Sequence, residues 1–233
     1  MKFDLIAFDA DDTLWHNERL YRMGRERFRL MLAKYQVADP SDSRLDEIEI
    51  RNLPYYGYGV MSFVLSLIES GIELTGGRFS SADVQALIEL GKEMLDADVQ
   101  LFEHAVETLA RLAEAYPLML ITKGEPNNQL AKVARSGIAQ FFRHVEIVPD
   151  KKTNTYAAIL ERLNVAVERF LMVGNSMRSD ILPVLELGGW AVYIPHELTW
   201  AHEQIEPPEG CCQRMFELKN LGELPGLLER LIP

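Results

Sequence analysis

The chain has 233 residues, a net charge of −11 and a sequence pI near 5.0. Apolar residues make up 48% of it and charged residues 25%, which excludes a disordered tail, a collagen-like repeat and a disulfide-stapled miniprotein. The acidic excess repels nucleic acid and anionic lipid, so neither is an expected partner, and an anionic substrate would need a local cation at its site.

The longest uncharged run, Leu53 to Ile68, is interrupted by Pro54, Gly57 and Gly59 and is too short to span a bilayer. The N-terminus carries Asp4, Asp9, Asp11 and Asp12 where a leader would carry a basic and then an apolar region, so a cytoplasmic location is expected. Cys211 and Cys212 are adjacent, a poor basis for a crosslink and consistent with a reducing compartment.

In chain order, Leu5-Ile6-Ala7-Phe8-Asp9 reads as a short buried strand that runs into Asp11, Asp12 and Thr13. Residues 16–104 then read almost wholly as helix. Arg19 to Lys34 forms one segment, 37–43 a turn carrying Asp39-Pro40-Ser41, and Val84, Leu87, Ile88 and Leu95 a stripe preceded by a Ser80/Asp83 capping box. From about 105 helix and strand alternate. A helical stripe of Val106, Leu109 and Leu112 leads to the run Leu118 to Ile121, which ends at Thr122-Lys123-Gly124. A helix over 127–137 precedes a strand from Val145 to Val148, which ends at Pro149-Asp150-Lys151. Tyr156, Ile159, Leu160 and Leu163 mark the next helix, Phe170 to Val173 a strand ending at Gly174-Asn175, Trp190 to Ile194 another strand, and 220–231 a last helix. No internal repeat or low-complexity segment is present.

This alternation predicts an α/β fold: a parallel, Rossmann-like sheet core with helices on both faces, formed by residues 1–15 and 105–233. The helical stretch 16–104 is too long for a loop and is expected to be a separate inserted domain.

Polar groups stand at the carboxyl ends of four predicted strands: Asp9 and Asp11, Thr122, Lys151, and Asn175 through Asp180. Ligands of open parallel sheets bind outside those ends, so residues distant in sequence should converge there. Asp9 and Asp11 are two apart on an extended segment and can address one site. Facing carboxylates repel, which favours either a bound cation or a raised pKa on one of them, and with Asp180 they form a hard oxygen set suited to Mg²⁺. A carboxylate nucleophile, an acid partner, Mg²⁺, a lysine and a hydroxyl together are what phosphoryl transfer requires.

The stretch Phe8-Asp9-Ala10-Asp11-Asp12-Thr13-Leu14-Trp15 closely resembles the first motif of the haloacid dehalogenase superfamily of hydrolases. Thr122-Lys123-Gly124 resembles its second motif, Lys151 its third, and Gly174-Asn175-Ser176-Met177-Arg178-Ser179-Asp180 its fourth, all in family order. The insert between the first two motifs resembles the family's C1-type cap. The resemblance implies a Mg²⁺-dependent phosphatase acting on a small soluble phosphomonoester through an aspartyl-phosphate. Asp9 would be the nucleophile, Asp11 the general acid and base, and Lys151 the stabiliser of both Asp9 and the phosphoryl charge. Thr122, Lys123 and Lys151 would bind phosphate; Asp9, the backbone carbonyl of Asp11, Asn175 and Asp180 would hold the metal. Lys152 is the rival for the third-motif lysine, and the five-residue offset from Lys151 to Tyr156 favours Lys151. Asn175 departs from the family's usual Gly-Asp and brings an oxygen without a charge.

Alternatives within the superfamily are a 2-haloacid dehalogenase, a phosphonatase and a phosphomutase. Dehalogenases generally lack an acid two residues after the nucleophile, and Asp11 is present. A catalytically weak regulatory or binding module is the reading from another class, with Asn175 in its support. Other signals fail: Gly57-Tyr58-Gly59 lacks the third glycine of a dinucleotide fingerprint, and no GxxxxGK[ST] loop occurs. The aromatic group Tyr55, Tyr56, Tyr58 and Phe63 in the insert could line a substrate pocket, but core of the insert or a contact with the sheet domain is the favoured reading.

Overall fold

A computed structural model describes residues 3–37, 42–203, 205 and 213–231. Cys211, Cys212 and the Asp39-Pro40-Ser41 turn lie outside the described residues. Two compact units divide the chain: Met1–Glu18 with Val99–Pro233, and Arg19–Asp98.

The first unit is built on six parallel strands, β1 (Leu5–Phe8), β2 (Leu118–Lys123), β3 (His144–Val148), β4 (Phe170–Gly174), β5 (Trp190–Tyr193) and β6 (Met215–Glu217), in the order β3-β2-β1-β4-β5-β6. The central strand β1 pairs with β2 on one side, Ile6 opposite Leu118, and with β4 on the other, Leu5 opposite Phe170. Alternation along each strand sends its side chains to opposite faces. Ile6, Phe8, Leu118, Leu120, Leu171 and Val173 join one core cluster, closed by α5 (Ala105–Ala113), α6 (Pro126–Arg135) and α9 (Leu224–Leu231). Leu5, Ala7, Met119, Ile121, Phe170 and Met172 join a second, closed by α7 (Thr153–Leu163) and α8 (Leu182–Leu187). Helices therefore cover both faces, as a buried parallel sheet requires. The near-continuous apolar runs of β1, β2 and β4 follow from that double burial.

Two sequence expectations change here. The run Leu118 to Ile121 continues as strand through Lys123, because Thr122 and Lys123 still pair with Ile147 and Val148 of β3. The edge strand β6 carries no apolar run to announce it, since a three-residue edge needs only its backbone to pair with β5.

The two segments that lead out of this unit are hydrogen-bonded to each other. His16 N donates to Gln100 O at 2.9 Å, and Phe102 N to Leu14 O at 2.9 Å. Trp15 and Leu101 form the antiparallel bridge between them.

The second unit consists of α1 (Glu18–Ala33), α2 (Asp42–Tyr56), α3 (Val60–Leu74) and α4 (Ser81–Asp96), with α1 starting one residue earlier, in the first unit. Its own core contains Phe28, Leu32, Leu45, Phe63, Leu67, Leu87 and Leu90. Burial of each such side chain is worth roughly 1.5–3 kcal/mol, enough to make a separate core of this insert. The uncharged run from Leu53 to Ile68 becomes two helices because Gly57 (φ 69°) and Gly59 (φ 132°) take backbone angles closed to most side chains. Among the described residues no helix is long and apolar enough to cross a membrane.

The capping box at the start of α4 is completed by a third residue. Ser80 Oγ accepts from Asp83 N at 3.1 Å and donates to Asp83 Oδ2 at 2.6 Å. Ser80 N donates instead to the Tyr35 hydroxyl, which itself donates to Asp83 Oδ2 at 2.5 Å, and Lys34 Nζ lies 2.9 Å from Asp83 Oδ1. Hydrogen bonds from Ser80, Tyr35 and Lys34 hold the Asp83 carboxyl down at about 2. A depressed carboxyl adds stability that is complete above its unfolded value of 3.8 and is lost as pH falls through 2. Asp83→Asn is therefore expected to lower stability by about 1 kcal/mol at pH 7 and by much less at pH 2. Thermal unfolding of both proteins at the two pH values checks this; an equal deficit at both would assign the effect to shape and not to charge.

Candidate active site

Each candidate residue is placed by the end of a strand. β1 delivers Asp9, whose backbone N–H still bonds to Val173 O of β4 at 2.9 Å. β2 ends on Thr122 and Lys123, the turn after β3 presents Lys151, and the turn after β4 presents Asn175 to Asp180. Because β2 and β4 flank β1, the groups from their ends stand on either side of Asp9.

The centre is an ion triad. Lys151 Nζ is hydrogen-bonded to Asp9 Oδ1 and lies 2.8 Å from Asp180 Oδ1. Asp9, Lys151 and Asp180 are 6%, 3% and 1% exposed. Lys152, by contrast, is exposed and pairs with Asp150, so Lys151 is the lysine that joins the two aspartates. Burial raises the Asp9 carboxyl, the neighbouring Asp180 charge adds to the rise, and Lys151 opposes both. Burial disfavours the Lys151 cation, yet the charges of Asp180 and Asp9 outweigh it and raise the ammonium's pKa. Two carboxylates thus share one cation.

A second residue set fixes the oxygens that face away from Lys151. Thr13 Oγ1 lies 3.0 Å from Asp9 Oδ2 and 3.2 Å from Asn175 Oδ1, so both acceptors converge on one hydroxyl. Asn175 Nδ2 donates to Thr199 Oγ1 at 3.3 Å, which turns the amide oxygen toward Thr13. Asp180 Oδ2 accepts from Ser176 N at 2.9 Å. Gly174 permits that approach, because a Cβ there would collide with the Asp180 carboxylate. Asp180 itself lies in a single wide π-type turn, Met177–Ile181, a local backbone form common at functional sites.

Asp11 is held by three donors. Trp15 Nε1 donates to Oδ1 at 2.6 Å, Lys132 Nζ to the same oxygen at 2.5 Å, and Gln129 Nε2 to Oδ2 at 2.8 Å. Gln129 and Lys132 lie three apart on α6 and so share a face. Burial alone would raise the Asp11 carboxyl; the Lys132 charge and the three hydrogen bonds overcome it and hold the group below the usual carboxylate range. Asp12, the third acid of the cluster, has a structural job. Its carboxylate accepts from Asn17 N and Glu18 N, at 2.9 Å and 3.0 Å, and so starts α1.

Thr122 is buried at the end of β2. The Lys123 ammonium is directed to Ser179 Oγ at 2.9 Å and Glu203 Oε1 at 2.5 Å. Glu203 also accepts from Ser176 Oγ at 2.5 Å and Ser179 Oγ at 2.6 Å. Burial would raise its carboxyl, but the Lys123 charge and the donors Lys123, Ser176 and Ser179 hold it at about 2. Sequence reading missed Glu203, Gln129 and Lys132, since none belongs to a local motif. Only the strand-end rule could have led to Gln129 and Lys132, through the first turns of the helix after β2.

Among the described residues no three His, Cys, Asp or Glu side chains are gathered as a metal site. The donor set is instead Asp9, Asp180 and the Asn175 amide oxygen, all hard oxygens of the kind Mg²⁺ takes. Asp9 Oδ2 and Asn175 Oδ1 are brought together on the Thr13 hydroxyl, and the two buried carboxylates outnumber their single ammonium. Oxygen chemistry and charge count both fit a divalent cation.

Comparison with known proteins agrees with this architecture. The chain is 28% identical to the pyrimidine 5'-nucleotidase YjjG of Escherichia coli over 98% of its length and 99% of the relative's. It is 25% identical to the glyceraldehyde 3-phosphate phosphatase of Pyrococcus furiosus, covering 99% of this chain and 93% of that protein. A crystal structure of a haloacid dehalogenase-like family hydrolase from Xanthomonas campestris superposes with a TM-score of 0.85 at 36% identity, over 98% of this chain and 91% of the other. The family model of haloacid dehalogenase-like hydrolases matches residues 3–188, and the chain belongs to that family.

Proposed function

We propose that the protein is a phosphoric monoester hydrolase that acts on a small phosphorylated metabolite through an aspartyl-phosphate on Asp9. The observation that carries this reading is the buried contact of Lys151 with Asp9, with a second acid, Asp11, two residues further on. A carboxylate held by an ammonium at the mouth of a sheet is poised to meet an electrophile that is itself anionic. Asp11 argues for a leaving group that needs a proton, as an alkoxide does and a halide does not. The two curated relatives described above are named for the removal of phosphate from small molecules, which supports the same class.

In the first step an Asp9 oxygen attacks phosphorus as the ester P–O bond breaks; Asp11 gives its proton to the departing oxygen, which requires that it arrive protonated, with the Lys132 contact that holds it ionised given up when substrate binds. In the second, Asp11 takes a proton from the water that attacks the aspartyl-phosphate, and phosphate leaves as Asp9 is restored. Lys151 keeps Asp9 in place and faces the phosphoryl oxygens with positive charge. Thr122 and the backbone after it would form the phosphate-binding side; Lys123, expected there from the sequence, has its ammonium engaged by Ser179 and Glu203 instead. Asp9, the carbonyl of Asp11, Asn175 and Asp180 would hold Mg²⁺, which when bound offsets the charge on the phosphoryl oxygens. The inserted helical unit would serve as the cap that selects the substrate.

Asp9→Asn is expected to remain folded and to lose about 10⁴-fold or more in turnover of an aryl phosphate. Steady-state rates with Mg²⁺ check this; retention of a tenth of the activity would remove Asp9 as nucleophile. Asp11→Asn should still be phosphorylated by a substrate with a good leaving group but should lose the second step. Intact-protein mass spectrometry after acid quench is expected to find the phosphoryl adduct on Asp9 in that variant and little in the wild type. An adduct elsewhere, or hydrolysis at the wild-type rate, would contradict the role.

The neutral Asn175 leaves the metal site one charge short. Asn175→Asp should tighten Mg²⁺ binding about tenfold, equivalent to roughly 1.4 kcal/mol, while Asp180→Ala should lose Mg²⁺-dependent turnover. Calorimetric titration of the Asn175 variant and assay of the Asp180 variant decide this. Unchanged affinity together with retained turnover would place the metal elsewhere.

A further inference from the structure

Glu203 lies outside all four motifs, on the connection between β5 and β6, in a short 3₁₀ segment Ala201–Glu203. It is 7% exposed, an uncommon setting for a glutamate unless its charge is answered. The answer comes from two strands at once. Lys123, the last residue of β2, supplies the ammonium; Ser176 and Ser179, from the turn after β4, supply hydroxyl protons. Each donor has a further tie. Ser176 Oγ accepts from Ser179 N at 2.9 Å, Ser179 Oγ accepts from Lys123 Nζ at 2.9 Å, and Ser179 O accepts from the buried Tyr156 hydroxyl at 3.0 Å.

The turn so gripped is the one that carries Asn175 and Asp180. Ser176 is adjacent to Asn175, and Ser179 is adjacent to Asp180. Thr122 immediately precedes Lys123. One carboxylate therefore ties together the neighbours of three site residues that come from the two strands flanking β1. We propose that Glu203 is a positioning residue, which sets the separation between the phosphate side at Thr122 and the metal side at Asn175 and Asp180. This inference rests on the phosphatase reading given above and adds a residue to it.

Two physical effects of losing the carboxylate point the same way. Ser176 and Ser179 lose the acceptor that fixes the turn, so the metal-facing oxygens are no longer pre-set. Lys123, whose side chain is 17% exposed, loses its counter-charge, and its ammonium, 2.9 Å from Ser179 Oγ next to Asp180, then opposes a divalent cation held by that turn. Both weaken Mg²⁺ binding. A residue that served the fold alone would change the unfolding temperature and leave metal affinity as it was.

Glu203→Gln keeps the size of the side chain and an oxygen acceptor while removing the charge. Calorimetric titration of the purified full chain with Mg²⁺, without substrate, is expected to give an affinity about tenfold weaker than wild type, with KM for an aryl phosphate raised more than kcat is lowered. Ser179→Ala, which removes one hydroxyl from the grip, should weaken Mg²⁺ by about threefold. The Glu203→Gln, Ser179→Ala double variant should be little worse than Glu203→Gln, since both act through one network. Wild-type Mg²⁺ affinity and KM in folded Glu203→Gln, whatever its unfolding temperature, would overturn the proposal. If Glu203→Gln does not fold, unchanged affinity in Ser179→Ala overturns it by the same logic. Asp9→Asn assayed alongside keeps the two ideas apart: its activity reports on the phosphatase reading, and the Glu203 and Ser179 titrations report on positioning.

Discussion

The buried ammonium of Lys151 is the constraint on which the site depends. Asp9 and Asp180 come from adjacent parallel strands, β1 and β4, whose ends cannot separate without breaking the pairing of Phe8 with Val173. Two carboxylates forced together in a dry place would repel, and burial of either charge costs several kcal/mol. Lys151, reaching across from the turn after β3, answers both at once. The order β3-β2-β1-β4 therefore has an electrostatic meaning: the cation crosses over β2 to the pair of acids it balances.

The same principle recurs outward from that triad. Asp11 is answered by Lys132, and Glu203 by Lys123, so each of these two acids has a cation from a different element. A chain with a net charge of −11 concentrates lysines where its sheet gathers acids. Overall acidity and a site fit for anions are thus compatible, because the field at the strand ends is set by these few pairs at hydrogen-bond range and not by the distant surface, which salt screens.

Much of this was legible in the sequence, for a physical reason. A doubly buried strand must be apolar along its length, so β1, β2 and β4 stand out, and the polar residue that ends each run marks the place where the sheet meets solvent. Asp9, Thr122, Lys151, Asn175 and Asp180 all follow from that rule. What is decided by distance in sequence was not legible. Lys151 and Lys152 are neighbours with the same chemistry, separated in the sequence only by the offset of Lys151 to Tyr156, and it is packing that buries one and exposes the other. Gln129 and Lys132 reach Asp11 from 118 and 121 residues away, and Glu203 reaches Ser179 from 24. No local spacing encodes such contacts. The box at Ser80 and Asp83 was half visible for the same reason: its serine and aspartate are three apart, while the Tyr35 hydroxyl that completes it comes from the turn after α1.

The hydrogen-bonded pair of segments around Trp15 and Leu101 bears on how this chain tolerates change. They hold the two ends of the excursion from Arg19 to Asp98 side by side, so along the chain it is an insert with adjoining ends. The entropy of closing a ring grows only with the logarithm of its length. Lengthening or trimming the excursion therefore changes the closure entropy little, and Asp9, six residues before the bridge at Trp15, lies outside it. The ion pairs at the strand ends, by contrast, are made wholly by residues outside the excursion.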